Sequence, residues 1–331
     1  MIVVKTPLRL SFVGGGSDLK VFYEQSDGMV ISSTIDKYVF VIVKERFDEK
    51  IYINYSQKER VDSVDEIQHK LVRETMKIAG VEKGVEITTL ADIPSEGSGL
   101  GSSSSITVGL LHALYTYKNN LVSSQQLAEE ACEVEIDLIK KPIGKQDQYA
   151  AAFGGLNHFV FHSNDTTERT PLFVENGLHR KFSSSILLYY TGLTRSADDI
   201  LFEQQENVTL HDKYDVMCEM VSLVEPFKTA VIGGDIITCG ELLDKSWYLK
   251  KKMASGITNS LIDEMYGKAK KAGAIGGKIS GAGAGGFLLL MVPREKQNAV
   301  FDAMSDYRVM PFMLERCGSK VIFDDRSYSS K

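Results

Sequence analysis

The chain has 331 residues, of which 43% are hydrophobic and 25% are charged, and its formal net charge is −6. This balance is typical of a globular protein and excludes a collagen, a coiled coil and a disordered chain. An acidic chain without a run of five like charges is not expected to bind nucleic acid or an anionic membrane. The length exceeds what one hydrophobic core usually serves, which predicts two lobes.

The cysteine pattern and the apolar runs indicate the compartment. Four cysteines lie far apart and form no CxxC pair: Cys132, Cys218, Cys239 and Cys317. This spacing argues against a disulfide framework or a zinc site and predicts buried free thiols. Lys5 and Arg9 interrupt the apolar N-terminus, unlike a signal peptide, and the apolar run Phe287–Val292 is too short to span a bilayer. We therefore expect a cytoplasmic protein.

The first half of the chain alternates apolar runs with polar turns. Runs rich in Val, Ile, Phe and Tyr predict strands, the first four in antiparallel hairpins, at Leu8–Val13, Met29–Thr34, Tyr38–Lys44, Lys50–Tyr55 and Val85–Leu90. A polar segment and two stretches with apolar residues at 3.6-residue spacing predict helices at Val64–Ala79, Ile106–Tyr117 and Gln125–Ile139. Ser123 and Gln126 form a capping-box pattern at the start of the last helix, and Pro142 ends it.

A composition change at Ser163–Arg169 predicts a boundary between an N-terminal lobe at 1–165 and a C-terminal lobe at 166–331. Beyond it, the patterns predict a strand at Ser185–Tyr190, a long helical region from about Ser196 to Met253, a helix at Ser260–Ala272, a strand at Phe287–Val292, a helix at Glu295–Tyr307 and a strand at Ser319–Phe323. Strands and helices are interspersed without strict βαβ alternation, so the predicted fold class is α+β.

The most informative stretch is the glycine- and serine-rich segment Pro94–Ser105, between a predicted strand and a predicted helix. Its glycines let the backbone approach a ligand closely, and the free N–H groups at the helix start favour an anion. The candidate phosphate-binding residues are Gly97, Ser98, Gly99, Leu100, Gly101, Ser102, Ser103 and Ser104. The segment fits neither a Walker A loop nor a Rossmann loop, so it predicts a phosphate cradle of another kind. The alternative is a flexible linker.

Two further glycine clusters flank this segment in the sequence. In the first, Gly15, Gly16, Ser17 and Asp18 suit close contact with a polyhydroxyl ligand, and a tight turn alone is the alternative. The other cluster, near the C-terminal end of the sequence, runs from 276 to 286 and formally matches G-x-G-x-x-G, which would suit a dehydrogenase. That fingerprint must be followed by a helix, whereas the next residues have the pattern of a strand.

The three motifs Thr6–Asp18, Pro94–Ser105 and Lys278–Phe287, in this order, resemble the GHMP kinase superfamily, named for its galacto-, homoserine, mevalonate and phosphomevalonate kinases. The resemblance implies a two-lobed fold, with an N-terminal lobe like ribosomal protein S5 domain 2 and a ferredoxin-like C-terminal lobe. It also implies that ATP lies on the second motif between the lobes. The third motif would support that loop or approach the substrate, with Gly283 as its candidate substrate-binding residue.

Three shorter stretches narrow the resemblance: Ile143–Gly155, Gly192–Ala197 and Ser33–Lys37. They are most similar to the D-glycero-D-manno-heptose 7-phosphate kinases, which phosphorylate the anomeric hydroxyl to make a 1,7-bisphosphate. The resemblance thus implies an ATP- and Mg²⁺-dependent kinase whose partner is a small sugar phosphate. The alternatives are another anomeric sugar kinase, such as a fucokinase or galactokinase, and a non-catalytic sensor that keeps the fold.

Matching by motif implies roles for four residues. Asp147 falls on the catalytic aspartate, Arg9 on its basic partner, and Ser103 and Glu135 on the metal-binding pair. A carboxylate can orient the attacking hydroxyl and take its proton, and an adjacent arginine keeps it ionised. One hydroxyl and one carboxylate suit Mg²⁺, which keeps several waters. Three alternatives stay open: a helix cap for Asp147, a surface ion pair for Arg9 and a solvated position for Glu135. The presence of all four candidate residues together argues against a non-catalytic sensor.

Four other residues have less specific patterns. Arg195 is the candidate for binding a distal phosphate, because a guanidinium suits bidentate recognition, and a salt bridge to a nearby aspartate is the alternative. His158 and His162 lie in a strand-like run without a third ligand, so we expect ordinary sheet histidines. Trp247 belongs either to the core or to an adenine pocket.

Overall fold

The computed structural model describes residues 1–94, 97–193 and 198–325. Its strands are β1 (Ile2–Val13), β2 (Gly28–Glu45), β3 (Ile51–Asn54), β4 (Lys58–Val61), β5 (Val85–Ala91), β6 (Leu156–Phe161), β7 (Thr167–Pro171), β8 (Ile186–Tyr190), β9 (Gly276–Ile279), β10 (Phe287–Met291), β11 (Leu314–Glu315) and β12 (Lys320–Asp324). Nine of them form one sheet, and β8, β10 and β9 form a second, antiparallel sheet.

The helices differ widely in length. They are α1 (Lys20–Tyr23), α2 (Lys70–Ala79), α3 (Ser102–Tyr117), α4 (Ser124–Cys132), α5 (Gln146–Phe153), α6 (Asn176–Ser184), α7 (Asp198–Val208), α8 (His211–Ser222), α9 (Val224–Gly233), α10 (Ile236–Lys250), α11 (Ser260–Ala272) and α12 (Gln297–Ala303). Short 3₁₀ turns lie at Val64–Glu66 and Arg294–Lys296, and α4 continues as a π-helix over Glu133–Leu138. None of the helices in the described ranges is long and apolar enough to cross a membrane.

The large sheet is built on β1 and β2, which pair antiparallel along most of their length. The sequence predicted two strands where β2 is a single strand of 18 residues. Its first half pairs with β6 and its second half with β5, so each half has a different outer neighbour while β1 spans both. The predicted antiparallel hairpins are present in β1–β2 and β3–β4, but β3 does not continue the series from β2 and instead pairs with β5 in parallel.

Strands from both ends of the chain enter this sheet. β12 pairs with β1, β11 pairs with β2, and β7 pairs with β6. The boundary near residue 165 therefore stays a prediction, since residues on both sides of it complete the same sheet. The α+β class is confirmed. The large sheet is mixed, with one parallel pair, the small sheet is antiparallel, and the helices do not alternate with parallel strands.

Helix existence was predicted better than helix ends. α3 begins at Ser102, four residues before the predicted start, because the serine run itself forms the first turn. Ser123 caps α4 by accepting a hydrogen bond from the Gln126 amide, as predicted. The predicted long helical region is split into α7 to α10, and Gly234, with φ of 69°, ends one of these helices. The helices α5 and α6 were not predicted.

Two clusters of buried apolar side chains form the core. One lies on the large sheet, where Leu110 and Leu114 of α3 belong to the same cluster as Val41. The other surrounds the small sheet and includes Trp247, which resolves the choice for this residue in favour of the core. All four cysteines have free thiols, and Cys132 and Cys239 are buried as predicted, whereas Cys218 is half-buried and Cys317 is exposed.

The second and third glycine motifs pack backbone against backbone. A Cβ atom added to Gly99 would lie 2.2 Å from the Ser280 carbonyl oxygen, and one added to Gly281 would lie 2.6 Å from the Gly99 Cα. A Cβ on Gly286 would lie 2.4 Å from the Ser98 carbonyl oxygen. Side chains cannot enter this contact, so the glycines allow the third motif to support the second.

Gly99→Ala should therefore lower the free energy of unfolding more than Gly80→Ala, the matched control. Both glycines have left-handed φ values, 71° and 65°. The backbone strain of an alanine should therefore destabilise the fold by a similar amount at each position, about 1–2 kcal/mol. Only Gly99 has a backbone atom in the way, since nothing lies within 4 Å of a Cβ at Gly80. We expect an excess of roughly 1–3 kcal/mol from overpacking, measured by urea unfolding. Equal destabilisation would show that the two loops separate freely.

Candidate active site

One cleft of about 1250 Å³ collects residues from all three glycine-rich motifs. From these motifs it is lined by Arg9, Ser11, Gly15, Gly16, Asp18, Pro94, Gly97, Ser98, Gly99, Gly101, Ser102, Ser103, Ser104, Lys278, Gly281 and Ala282. The three segments lie far apart in the sequence, and the fold brings them together.

The serine-rich loop leads into an open helix N-terminus. Gly101 is the N-cap of α3 with φ of 75°, and none of the side chains that the structure describes caps the helix. The N–H groups of the first turn are therefore available to an anion, which the helix dipole also favours. Leu100 does not line the cleft: it is buried, and its carbonyl accepts a hydrogen bond of 2.9 Å from the Arg9 amide. Leu100 anchors the loop, and the residues around it face the cleft.

Arg9 and Asp147 form a buried bidentate ion pair. The Arg9 Nε and Nη2 atoms donate to the two Asp147 carboxylate oxygens at 2.7 and 2.6 Å. The remaining Arg9 Nη1 donates to the Gly99 carbonyl at 2.6 Å. The Arg9 side chain is 6% exposed and that of Asp147 is 22% exposed, so the carboxylate reaches the cleft from the first turn of α5. The arginine is thus not in a surface ion pair.

Asp18 lies beside this pair in a dense hydrogen-bond network. Its carboxylate accepts hydrogen bonds from the Gly16 amide at 3.0 Å and from the amide and side chain of Gln146 at 3.2 and 2.9 Å. Burial, followed by the charge of Asp147, raises the pKa of Asp18. Ser17, in contrast, binds backbone atoms of Gly14 and residue 29 and supports the turn without lining the cleft.

Ser103 and Glu135 share a cation. The Ser103 hydroxyl donates to the Glu135 Oε1 at 2.5 Å, and the Lys141 ammonium contacts both groups, 2.9 Å from that Oε1. Gln148 Nε2 donates to the other carboxylate oxygen at 2.8 Å. The π-helix that follows α4 carries Glu135, whose side chain is fully buried and not solvated as the helix pattern also allowed. Lys141 was not predicted, because its position depends on this π-helix and on the loop after it.

This pair fits a hard metal ion. The Lys141 ammonium is a stand-in cation between two oxygen ligands of the kind that Mg²⁺ prefers. Within the described residues, no group of three or more His, Cys, Asp or Glu is placed to hold a metal. A bound Mg²⁺ would therefore need further ligands from phosphate and water. His158 lies in β6 as predicted, whereas His162 lies just after that strand, with its ring hydrogen-bonded to Asp27 at 3.0 Å.

The remaining candidates lie elsewhere. Gly283, with φ of 121°, packs against Ile257, whose carbonyl would lie 2.8 Å from an added Cβ, and it does not line the cleft. Arg195 lies outside the described residues. The residue after Gly286 begins strand β10, which excludes the dehydrogenase fingerprint.

Sequence reasoning also missed several cleft residues. An apolar part of the cleft is lined by Tyr55, Leu71, Leu90, Ile93, Ile106 and Ile139. Lys250 and Lys278 also line the cleft. Lys278 begins the third motif, but nothing in the local sequence distinguishes Lys250 from a surface lysine or these apolar residues from core residues.

Comparisons with known proteins agree with this geometry. The GHMP kinases N terminal domain matches residues 66–155, and the GHMP kinases C terminal domain matches residues 227–308. The chain is 32% identical to D-glycero-alpha-D-manno-heptose 7-phosphate kinase of Campylobacter jejuni, over 90% of this chain and 92% of that protein. It is 25% identical to the galactokinase of Pyrococcus furiosus, over 92% of each chain.

Solved structures share the whole fold. A D-glycero-D-manno-heptose 1-phosphate kinase from Bacteroides thetaiotaomicron superimposes with a TM-score of 0.83 at 27% identity, covering 99% of this chain and 100% of that one. The three motifs, the cleft that they build and these similarities lead to one conclusion: the chain belongs to the GHMP kinase family, and it is an ATP-dependent kinase with the fold of that family.

Proposed function

We propose that this sugar kinase transfers the γ-phosphoryl group of ATP to the anomeric hydroxyl of D-glycero-D-manno-heptose 7-phosphate and forms the 1,7-bisphosphate. The observation that carries the proposal is the Arg9–Asp147 pair, whose carboxylate faces the cleft beside the open N-terminus of α3. This arrangement sets a proton acceptor next to a phosphate cradle.

The proposed step follows from these positions. The triphosphate lies on the loop 97–104, and the N–H groups of α3 bind phosphate oxygens. The acceptor oxygen attacks the γ-phosphorus as its proton passes to Asp147, and the bond from that phosphorus to the bridging oxygen of ADP breaks. Arg9 holds both carboxylate oxygens and so fixes the orientation of the Asp147 side chain. Because phosphoryl transfer has a loose transition state, positioning and charge neutralisation supply most of the catalysis.

We assign the metal to Ser103 and Glu135. Mg²⁺ would neutralise charge on the phosphates, and these two oxygens would hold it after the Lys141 ammonium has moved away. The apolar part of the cleft near Tyr55 and Ile106 would hold the adenine ring.

The acceptor is assigned from the first motif and from the relatives. Gly15 and Gly16 leave the backbone open to a sugar, and the Asp18 carboxylate can accept hydrogen bonds from the hydroxyl groups of that sugar. Two relatives are named for heptose phosphates, one for the 7-phosphate and one for the 1-phosphate, and others are named fucokinase and galactokinase. Arg195 stays our candidate for the distal phosphate, and Gly283 shapes the third motif. We place the reaction in the cytoplasm, in keeping with four unpaired cysteines.

An ADP-release screen tests the substrate. Heptose 7-phosphate, free heptose, mannose, fucose and galactose should be compared at equal concentration, with the product position identified by ³¹P NMR. The proposal requires the highest kcat/KM for heptose 7-phosphate and a new phosphate on the anomeric oxygen. A clear preference for free fucose or galactose would replace it with the alternative of a free-sugar kinase.

Asp147→Asn should reduce kcat by ~10²–10⁴-fold while ATP binding is retained, because the amide keeps the shape but cannot accept the proton. The matched control is Asp137→Asn, an exposed carboxylate on the preceding π-helix. Rates are measured by ADP release and ATP binding by calorimetry, with thermal unfolding to confirm the fold. A rate near that of the parent would remove Asp147 from the mechanism.

Ser103→Ala and Glu135→Gln should each raise the Mg²⁺ concentration needed for half-maximal rate, because each removes one oxygen ligand. Glu133→Gln, an exposed neighbour in the same π-helix, is the control. Binding of Mn²⁺ to the ATP complex, followed by electron paramagnetic resonance, gives a readout independent of turnover. An unchanged metal dependence in Glu135→Gln would mean that phosphate and water alone hold the ion.

A further inference from the structure

Two lysines are buried in the cleft, where the mechanism proposed above does not use them. Lys250 is the last residue of α10 and is 6% exposed, and Lys278 lies in β9 and is 2% exposed. Both line the cleft that holds Arg9 and Asp18. Lysine is rarely buried to this extent without a partner, so both positions need an explanation.

Among residues 1–94, 97–193 and 198–325, each of these two ammonium groups has one hydrogen-bond acceptor. The Lys250 ammonium donates to the Gly281 carbonyl, and the Lys278 ammonium donates to the Phe12 carbonyl at 3.1 Å. Each ammonium has three N–H donors. Among the side chains that the structure describes, no carboxylate oxygen lies within 4.0 Å of either lysine, although such an oxygen would be the usual counterion of a buried ammonium.

The charge balance of this part of the cleft is positive. Arg9 and Asp147 neutralise each other in their ion pair, and the single Asp18 carboxylate can offset only one of the two ammonium charges. Burial, followed by repulsion from Arg9, lowers the pKa of Lys250 to about 8. Burial and the neighbouring Lys250 lower that of Lys278 as well. An anion placed between these cations would relieve both effects.

A buried hydroxyl in the same cleft also lacks a partner. The Ser11 Oγ makes no hydrogen bond among the described residues, and Ser11 lines the cleft with the two lysines. Buried polar groups without hydrogen-bond partners are costly. A ligand with several anionic oxygens would supply acceptors for the two ammonium groups.

We propose that Lys250 and Lys278 form a phosphate-binding subsite in the cleft, next to the Arg9–Asp147 pair. The inference rests on the proposed function and deepens it. The ligand is a phosphoryl group, either the phosphate that the sugar already carries or the group in transfer from ATP. Lys250 reaches the subsite from α10 and Lys278 from β9, so both come from the C-terminal half of the chain, whereas Arg9 comes from β1.

The test uses Lys250→Met and Lys278→Met, with Lys250→Arg to keep the charge and Lys252→Met as the control. Lys252 lies two residues after Lys250 and is exposed over the Tyr248 ring. Thermal unfolding comes first, because methionine fills the same space without a buried charge. The Lys250→Met protein should melt at or above the parental temperature, whereas a structural lysine would lower it.

Binding of inorganic phosphate is then measured by calorimetry on the ADP-bound protein, in which the serine-rich loop is occupied. We expect Lys250→Met to weaken phosphate binding about 10- to 100-fold, as for loss of a charged hydrogen bond, and Lys252→Met to leave it unchanged. This measurement needs no sugar, so it is independent of the choice of heptose 7-phosphate as substrate. Equal phosphate affinity in the parent and in both methionine variants would overturn the subsite.

Kinetics identify the source of the phosphate. If it belongs to the acceptor, Lys250→Met should raise KM for heptose 7-phosphate 10-fold or more and leave the slow rate on free heptose unchanged. If it is the group in transfer, kcat should fall equally on both acceptors while the KM values stay near the parental ones. Unchanged kinetics on both acceptors would contradict the proposal.

Discussion

The candidate site depends on the bidentate ion pair between Arg9 and Asp147. Arg9 is fixed in the central strand β1, Asp147 lies in the first turn of α5, and the third guanidinium donor binds the carbonyl of Gly99 in the serine-rich loop. One side chain thus sets the distance between the carboxylate and the phosphate cradle. Because the pair is largely removed from water, it is screened little by salt and has full charge-assisted strength.

The glycines extend this constraint to the C-terminal half of the chain. Gly99 lies against Ser280 and Gly281 with no space for a side chain. The position of the third motif is therefore fixed against the loop that Arg9 holds. The same motif contains Lys278 and supplies the carbonyl that binds Lys250. Catalytic carboxylate, phosphate loop and buried lysines are therefore parts of one connected assembly, in which a displacement of any backbone segment affects the others.

The parts of this assembly that were predictable from sequence are those with a local pattern. Glycine and serine at fixed spacing identified the loop and its helix, and motif matching assigned Asp147 and Arg9 to the pair that the structure shows. Lys250 and Lys141 have no such pattern. Their roles depend on burial and on a change of helical type after α4, which arise from tertiary packing. β2 was predicted as two strands because the polar residues Asp36 and Lys37 interrupt its apolar pattern, whereas its pairing with β1 runs through both halves.

The arrangement of the large sheet has a consequence for the order of folding. β1, at Ile2–Val13, is synthesised long before β12, at Lys320–Asp324, which pairs with one of its edges. On the ribosome that edge stays open until β12 has emerged, and an open strand edge can pair with another chain. Contacts between such distant segments also slow folding, because loop closure must precede them. The nascent chain is thus exposed to aggregation until β12 pairs with β1.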